Sequence, residues 1–414
     1  MTLLVATTVT GCANSTGESD PGNPDQVEVL TSWSSTEDAK SFRVLLDTFS
    51  EQHPGIQVIH SAVKGVGAAA SALEDRLAAN NPPDVFLAPA APGLAPVVAD
   101  GELVDLTDFA RDLGLTANVR PDLLDLLKVG SHLYSVPTGV HRVNVVWTNA
   151  SALARAGIPA DKPAAGLDAW LADLAALRAA GIEYPLALGD SETQLELFES
   201  VLIADFGPEE YVSLWTKSDA WNDATLLTAV DHYRALLEYT DPATEASGWQ
   251  ATTKKLIVNG TTGYVVMSDR ALGVFRNVGL EYNEQYSSFP VPGTTGAFDL
   301  FFDAFALPQG VSHPDAAREW LQTAASPEAQ QAFSLANGST PVLSGPFETT
   351  FPAYQRAAML DLGLVAPVPS LAYGAAADRH WTEAIARVLA DFRHDDRSLA
   401  FANALRSAAI DALG

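Results

Sequence analysis

The sequence predicts an α/β protein of two lobes, each assembled from separate stretches of chain and joined by a hinge. Three observations carry this. Strand-like and helical periodicities alternate from residue 27 to the tail with no internal repeat, the pattern of layered lobes with largely parallel sheets. The chain has 414 residues, more than one typical domain, so two lobes of about 150 to 200 residues are expected. Twice, a strand leaves one compact region, passes a Pro/Gly joint and begins another.

The first joint lies in residues 132–158, HLYSVPTGVHRVNVVWTNASALARAGI. Tyr134-Ser135-Val136 reads as a short strand stopped by Pro137, with Gly139 allowing a change of direction. Val143, Val145 and Trp147 then alternate with Arg142, Asn144 and Val146 as in a partly buried strand, and a helix over 151–156 ends at Gly157. Phe289-Pro290-Val291-Pro292-Gly293 is the second joint, and 303–308 is a strand returning to the first lobe. A crossover of this kind is where a hinge and a cleft belong. The expected division is 27–138 with 289–325 for the N-terminal lobe, and 139–288 with 326–414 for the C-terminal lobe.

Charge narrows the partners. With 24 basic against 51 acidic residues and a net charge of -27, the chain lacks the clustered cations that nucleic acid requires. It suits a dispersed protein outside the cell. The single cysteine, Cys12, closes the apolar run LLVATTVTGC at 3–12, which is similar to a bacterial lipobox with Cys12 as the lipidated residue. The first basic residue is Lys40, so the sequence is expected to begin inside the leader, the 1–12 stretch being its remnant. That run is too short to span a bilayer. Residues 13–26 hold no large apolar side chain and read as a tether reaching roughly 20 Å. An anchor on the outer face of the cytoplasmic membrane is the expectation, and an incidental cysteine in an ordinary terminus is the alternative.

The elements follow in order. Val27 to Leu30 is a strand. Ser34 and Glu37 have capping-box spacing, and Phe42, Leu45, Leu46 and Phe49 form one helix face that ends at His53-Pro54-Gly55 before a strand at 56–58. GVGAAA at 65–70 formally satisfies a dinucleotide fingerprint, but Asp84 precedes its strand, 82–87, instead of closing it. A turn into a helix over 68–79 is the better reading. Residues 107–131 read as helical. The second lobe shows helices at 166–180, 193–205, 224–239 and 249–259, strands at 185–188 and 264–267, and further helices at 313–325, 327–336 and from about 378 onward.

These phrases resemble family 1 extracellular solute-binding proteins, the sugar-binding subunits of ABC importers. The first joint has that family's order of VP, small residue, apolar strand, aromatic, Asn, helix, AGI. The start has its strand, polar loop, helix, HPGI, strand; GELVDL at 101–106 and the helix-Gly-strand-MSD unit ending at Asp269 follow in family order. The resemblance implies a type II periplasmic-binding-protein-like fold that captures a carbohydrate between its lobes and delivers it to ABC permease subunits. It implies a monomer, no catalysis and no cofactor.

The glucose/galactose-binding branch is the most similar, through SVP…HR, PLALG, GPEE, the Trp-Gln helix start and FPVPGTTG. Trp249 and Asp303 match it. That branch has a second tryptophan where this chain has Ser34, a glutamine and a histidine at Leu87 and Pro89, a tryptophan at Arg270, a lysine at Asn337 and a histidine at Tyr373. A different solute is implied.

Sugars are held by aromatic faces and by planar polar groups that take hydroxyl pairs. The candidates near the joints are Trp33, Ser34, Glu37, His141, Arg142, Trp249, Asp269, Arg270, Asp303, Asn337 and Tyr373. Loss of two indoles favours a larger saccharide or a shifted ring. Arg142 and Arg270 favour an anionic solute such as a sugar acid or a glycerophosphodiester, unless each only pairs with a neighbour such as Asp269 or Glu37. A third reading, a secreted carbohydrate-active enzyme, rests on Asp299 and Asp303 alone. No nucleophile elbow, P-loop or zinc motif is present, and no two histidines stand three or four apart.

Overall fold

The computed structural model describes residues 20, 22–160, 162–257, 260–345, 350–394 and 397–414. Cys12 and most of the 13–26 tether therefore lie outside the described residues. The tether's described end is tied down. Gln26 is buried as the first residue of the first strand, and the Asp20 carbonyl is 3.2 Å from His313 Nε2.

Two sheets are built from β1 (Gln26–Thr31), β2 (Gln57–Ala62), β3 (Val85–Ala88), β4 (Ser135–Arg142), β5 (Val145–Asn149), β6 (Leu186–Ala187), β7 (Tyr264–Val266), β8 (Tyr286–Pro290), β9 (Ala297–Ala306) and β10 (Ala366–Pro369). The first sheet is ordered β10-β9-β3-β1-β2, with β4 also paired to β9; the second is β8-β5-β7-β6. β1 is parallel to β2 and β3, as the strand-helix-strand alternation requires. β9 runs antiparallel to β3 and β4. Helices cover both faces of β9, so all ten of its residues are buried. The helices that reach the cleft are α1 (Thr36–Gln52), α2 (Ser191–Phe206), α3 (Trp249–Ile257), α4 (Ala271–Asn277), α5 (Pro327–Asn337) and α6 (Ala353–Leu364).

Several expectations are corrected. Pro137 does not stop a strand; β4 runs through it to Arg142. The register slips there, Asp303 facing Gly139 and Ala304 facing Pro137, and a bulge is a place where the missing N–H is tolerated. Gly139 makes no turn either. It is needed because a Cβ would lie 2.7 Å from Ser339 Oγ. The expected 107–131 helix is three short helices, Thr107–Asp112, Leu115–Asn118 and Pro121–Asp125, and a hairpin pairing Lys128–Val129 with His132–Leu133. Gly114 at φ 76° and Gly130 at φ 64° take left-handed turns there, and Pro121 opens a new helix. α1 is capped by Ser35, whose Oγ accepts from Asp38 N at 3.1 Å, one residue later than expected; the backbone of Ser34 is already turned onto Ser32 O. β9 begins at Ala297, six residues before the expected start at 303.

The expected lobe boundary at 138/139 falls inside β4. The one at 325/326 separates α5 from the strand it packs on: Gln330 of α5 donates to Pro137 O at 3.2 Å and accepts from the backbone of Val342 and Leu343. The crossings themselves are at Val143-Asn144 and 291–296. Asn144 links them, donating to Thr294 Oγ1 at 2.8 Å and Ala297 O at 3.1 Å while accepting from Arg142 Nε.

Candidate ligand-binding site

Short polar turns at the ends of elements from both sheets meet beside these crossings. From the first sheet come the N-terminal turn of α1, the end of β4, the middle of β9 and the C-terminus of α5. The second contributes the start of α3 and the turn into α4. The C-terminus of α5 approaches that turn closely. Gly338 has φ 96°, and a Cβ on it would lie 2.5 Å from Asp269 O, so only glycine allows the approach. Between these elements is a cavity of about 70 Å³ lined by Trp33, Asp38, His141, Trp249, Arg270, Asp303 and Asn337, and also by Lys40, Ser41, Arg276 and Asn277.

His141 organises one wall. Its Nδ1 donates to Asp269 Oδ1, and its Nε2 donates to Asp303 Oδ2 at 3.0 Å. Asn337 Nδ2 donates to the same Asp303 oxygen at 3.0 Å, and Asn337 Oδ1 accepts from Ser339 N. The imidazole stacks on Phe301 with 4.6 Å between centroids. Burial disfavours charge on His141, but Asp269 and Asp303 outweigh it and raise its pKa to about 9. Burial also lifts Asp269 above the ordinary carboxylate range, against the pull of His141. At neutral pH an imidazolium therefore bridges two carboxylates, and Asp303 is held in one orientation at the cavity.

Arg270 forms the second wall. Its Nη2 donates to Asp38 Oδ1 at 3.0 Å across the cleft, and its Nη1 to Glu192 Oε1 at 3.2 Å. The guanidinium lies over the Trp249 ring at 4.6 Å and 5.9 Å from the Tyr373 centroid. Arg270 thus fills space that the loss of an indole was expected to open. Trp33 closes the floor, edge-on to Phe305 and tilted against Phe333.

Three comparisons bear on this arrangement. Residues 32–331 match the profile of the family described as bacterial extracellular solute-binding protein. The chain belongs to that family. An uncharacterised ABC transporter extracellular-binding protein of Pyrococcus horikoshii is 27% identical over 385 residues, covering 90% of this chain and 86% of its own. A probable sugar-binding periplasmic protein of Mesorhizobium japonicum is 28% identical over 345 residues, covering 81% and 80%. The solved bacterial solute receptor AcbH superposes with a TM-score of 0.78 at 19% identity, covering 94% of this chain and 98% of its own, and so shares the type II fold.

In this solute-binding protein Trp33, His141, Trp249, Arg270, Asp303 and Asn337 line the cavity, whereas Ser34, Arg142, Asp269 and Tyr373 stand outside it. Ser34 is exposed beside α1. Arg142 pairs with Asp361 of α6 at 2.6 Å and lies 4.8 Å over Phe298. Asp269 acts through His141 and the Arg142 N–H. Tyr373 stacks on Phe301 and donates toward Glu192 and Glu196. The side chain of Glu37 lies outside the described residues. Each arginine is in a salt bridge, Arg142 with Asp361 and Arg270 with Asp38 and Glu192.

Sequence reasoning missed Asp38 and an acidic stripe. Glu192, Glu196 and Glu199 stand at i, i+4 and i+7 on α2, and the latter two are fully buried. That spacing of acids among leucines was visible and was the available signal. Glu199 collects Ser370 Oγ at 3.0 Å and the N–H groups of Leu371 and Ala372. Asp299, buried beside it on β9, receives no hydrogen bond at either oxygen. Burial raises both, Glu199 to about 8 and Asp299 well above its usual range. The two acids titrate as a pair, and burial favours the protonated form of both. Among the described residues no group of three or more His, Cys, Asp or Glu is arranged to hold a metal ion.

Proposed function

We propose that this solute-binding protein captures a neutral carbohydrate between two lobes and that closure presents it to an ABC permease. The observation that carries the reading is the pairing of two indoles, Trp33 and Trp249, with a polar wall in which Asp303 and Asn337 are fixed by His141. Apolar walls meet the C–H faces of a sugar, and oriented carboxylate and amide groups meet its hydroxyls. The names of the relatives agree. The Mesorhizobium protein is called sugar-binding, and the AcbH structure is described as having an exclusive preference for β-D-galactopyranose.

An anionic solute is disfavoured. Arg142 is outside the cavity and paired with Asp361, and Arg270 is already shared by two carboxylates. The other two cations of the lining are also engaged, Lys40 with Asn277 Oδ1 and Arg276 with Leu335 O and Gln355 Oε1, and Asp303 adds negative charge. Catalysis by Asp299 and Asp303 fails on geometry, since Asp299 is buried beside Glu199 and does not line the cavity. As part of the same reading, residues 26–142 with 297–342 form one lobe and 145–290 with 370–414 the other. The protein works as a monomer anchored through Cys12. A thermal-shift panel of neutral saccharides, sugar acids and phosphodiesters tests the solute class. A ligand at 100 times its Kd adds roughly 2.7 kcal/mol. Stabilisation by neutral saccharides, lost in Trp249→Ala, is expected; stabilisation by anions alone would refute it.

A further inference from the structure

We propose that Arg270 sets the length of the solute, ending the cavity after one sugar ring so that the receptor takes a neutral monosaccharide and excludes oligosaccharides. This rests on the carbohydrate reading above and goes beyond it.

The space is small. About 70 Å³ lies well below the roughly 300 Å³ at which sites for drug-sized ligands begin. It exceeds the roughly 10–15 Å³ that a single water needs but leaves no room for a chain of rings. A longer chain would have to continue over another aromatic face or along an open groove, and both routes are blocked. The face of Trp249 under Arg270 is already occupied, with the guanidinium 4.6 Å from the ring centroid. The groove is spanned from α1 to the residues opening α4 by the Arg270–Asp38 pair, and again by Lys40, which donates to Asn277 Oδ1.

Arg270 cannot swing aside at low cost. Its two terminal nitrogens are held by Asp38 and Glu192, with side chains 15% and 32% exposed, and Ser35 Oγ braces Asp38 from behind at 2.7 Å. Displacing the guanidinium would leave two largely desolvated carboxylates without a counter-charge. It would also bring Glu192 closer in charge to Glu196, which shares Tyr373 Oη with it. A single ring that contacts Asp303 and Asn337 demands none of this. Arg270 is thus a specificity-determining wall, and it need not bind the solute directly.

The test is calorimetric titration of the chain with hexoses and pentoses and with the di- and trisaccharides built from them. The wild type is expected to bind one monosaccharide at least about tenfold more tightly than its disaccharides. In Arg270→Ala/Asp38→Asn/Glu192→Gln, which removes the wall without stranding a charge, that preference should shrink by about tenfold or invert, with unliganded melting confirming a folded chain. A wild type that prefers di- or trisaccharides overturns the proposal, as does a variant with an unchanged preference. If no saccharide of any length binds, the carbohydrate reading itself falls, a failure distinct from a wrong length.

Discussion

Two buried acidic clusters flank the joints, and they keep their charge in opposite ways. Around His141, whose pKa is raised to about 9, the imidazole bridges Asp269 and Asp303 and holds Asp303 in one orientation at the cavity. Along α2, Glu196 and Glu199 lie near Asp299 with no hydrogen-bonded cation among the described residues, and burial pushes all three toward the protonated form. Both clusters lie where chain crosses from one sheet to the other. The difference teaches that an acidic residue at a joint becomes a binding group only where a fixed cation lets it remain charged; otherwise it becomes a neutral hydrogen-bonding strut.

The contrast can be broken most forcefully at His141. His141→Ala leaves Asp269 and Asp303 without their cation and should cost about 3–5 kcal/mol in urea unfolding. Asp299→Asn, which keeps a donor toward Glu199, should cost far less, and equal losses would erase the distinction. Next in size, Asp303→Asn retains the shape of the wall but removes its charge. It should weaken solute binding by about 1.5–3 kcal/mol in calorimetry with the fold intact. Ser35→Ala removes the cap of α1 and the brace of Asp38, and should cost about 1 kcal/mol of stability.

The pH dependence is the most diagnostic. His141, Glu199 and Asp299 all have pKa values raised on folding, so each contributes stability that is present at low pH and lost as pH rises. For His141 the contribution is complete below its unfolded value of 6.5 and disappears through about 9. For Glu199 it is complete below 4.5 and disappears through about 8. The urea midpoint should therefore fall between pH 6 and pH 9, and Asp299→Asn should make that fall shallower. A midpoint that rises with pH would contradict both assignments.

Much of the site was legible because its residue types are unusual near a joint. Trp249, Asp303, His141 and Arg270 stand out in the sequence near the Pro/Gly crossings or at the ends of elements, and the structure brings them to one cavity. Arg142 was read as a ligand group for the same reason, yet its partner Asp361 is 219 residues away and no local pattern announces it. The partners of Arg270 were hidden in the same manner. Asp38 precedes it by 232 residues and looks like an ordinary first-turn acid of a helix. Glu192 looks like one too.

By itself, the sequence determined the α/β alternation, the two crossings and the helix faces, because periodicity of 2 or 3.6 and the backbone limits of Pro and Gly are local properties of the chain. Only the tertiary structure decided that β4 passes through Pro137 at a bulge, that Gly139 and Gly338 are required by close approach, and which acid neutralises which base. Those depend on strand register and on side chains far apart in sequence. A one-residue slip would turn every side chain of β4 or β9 to the opposite face of its sheet.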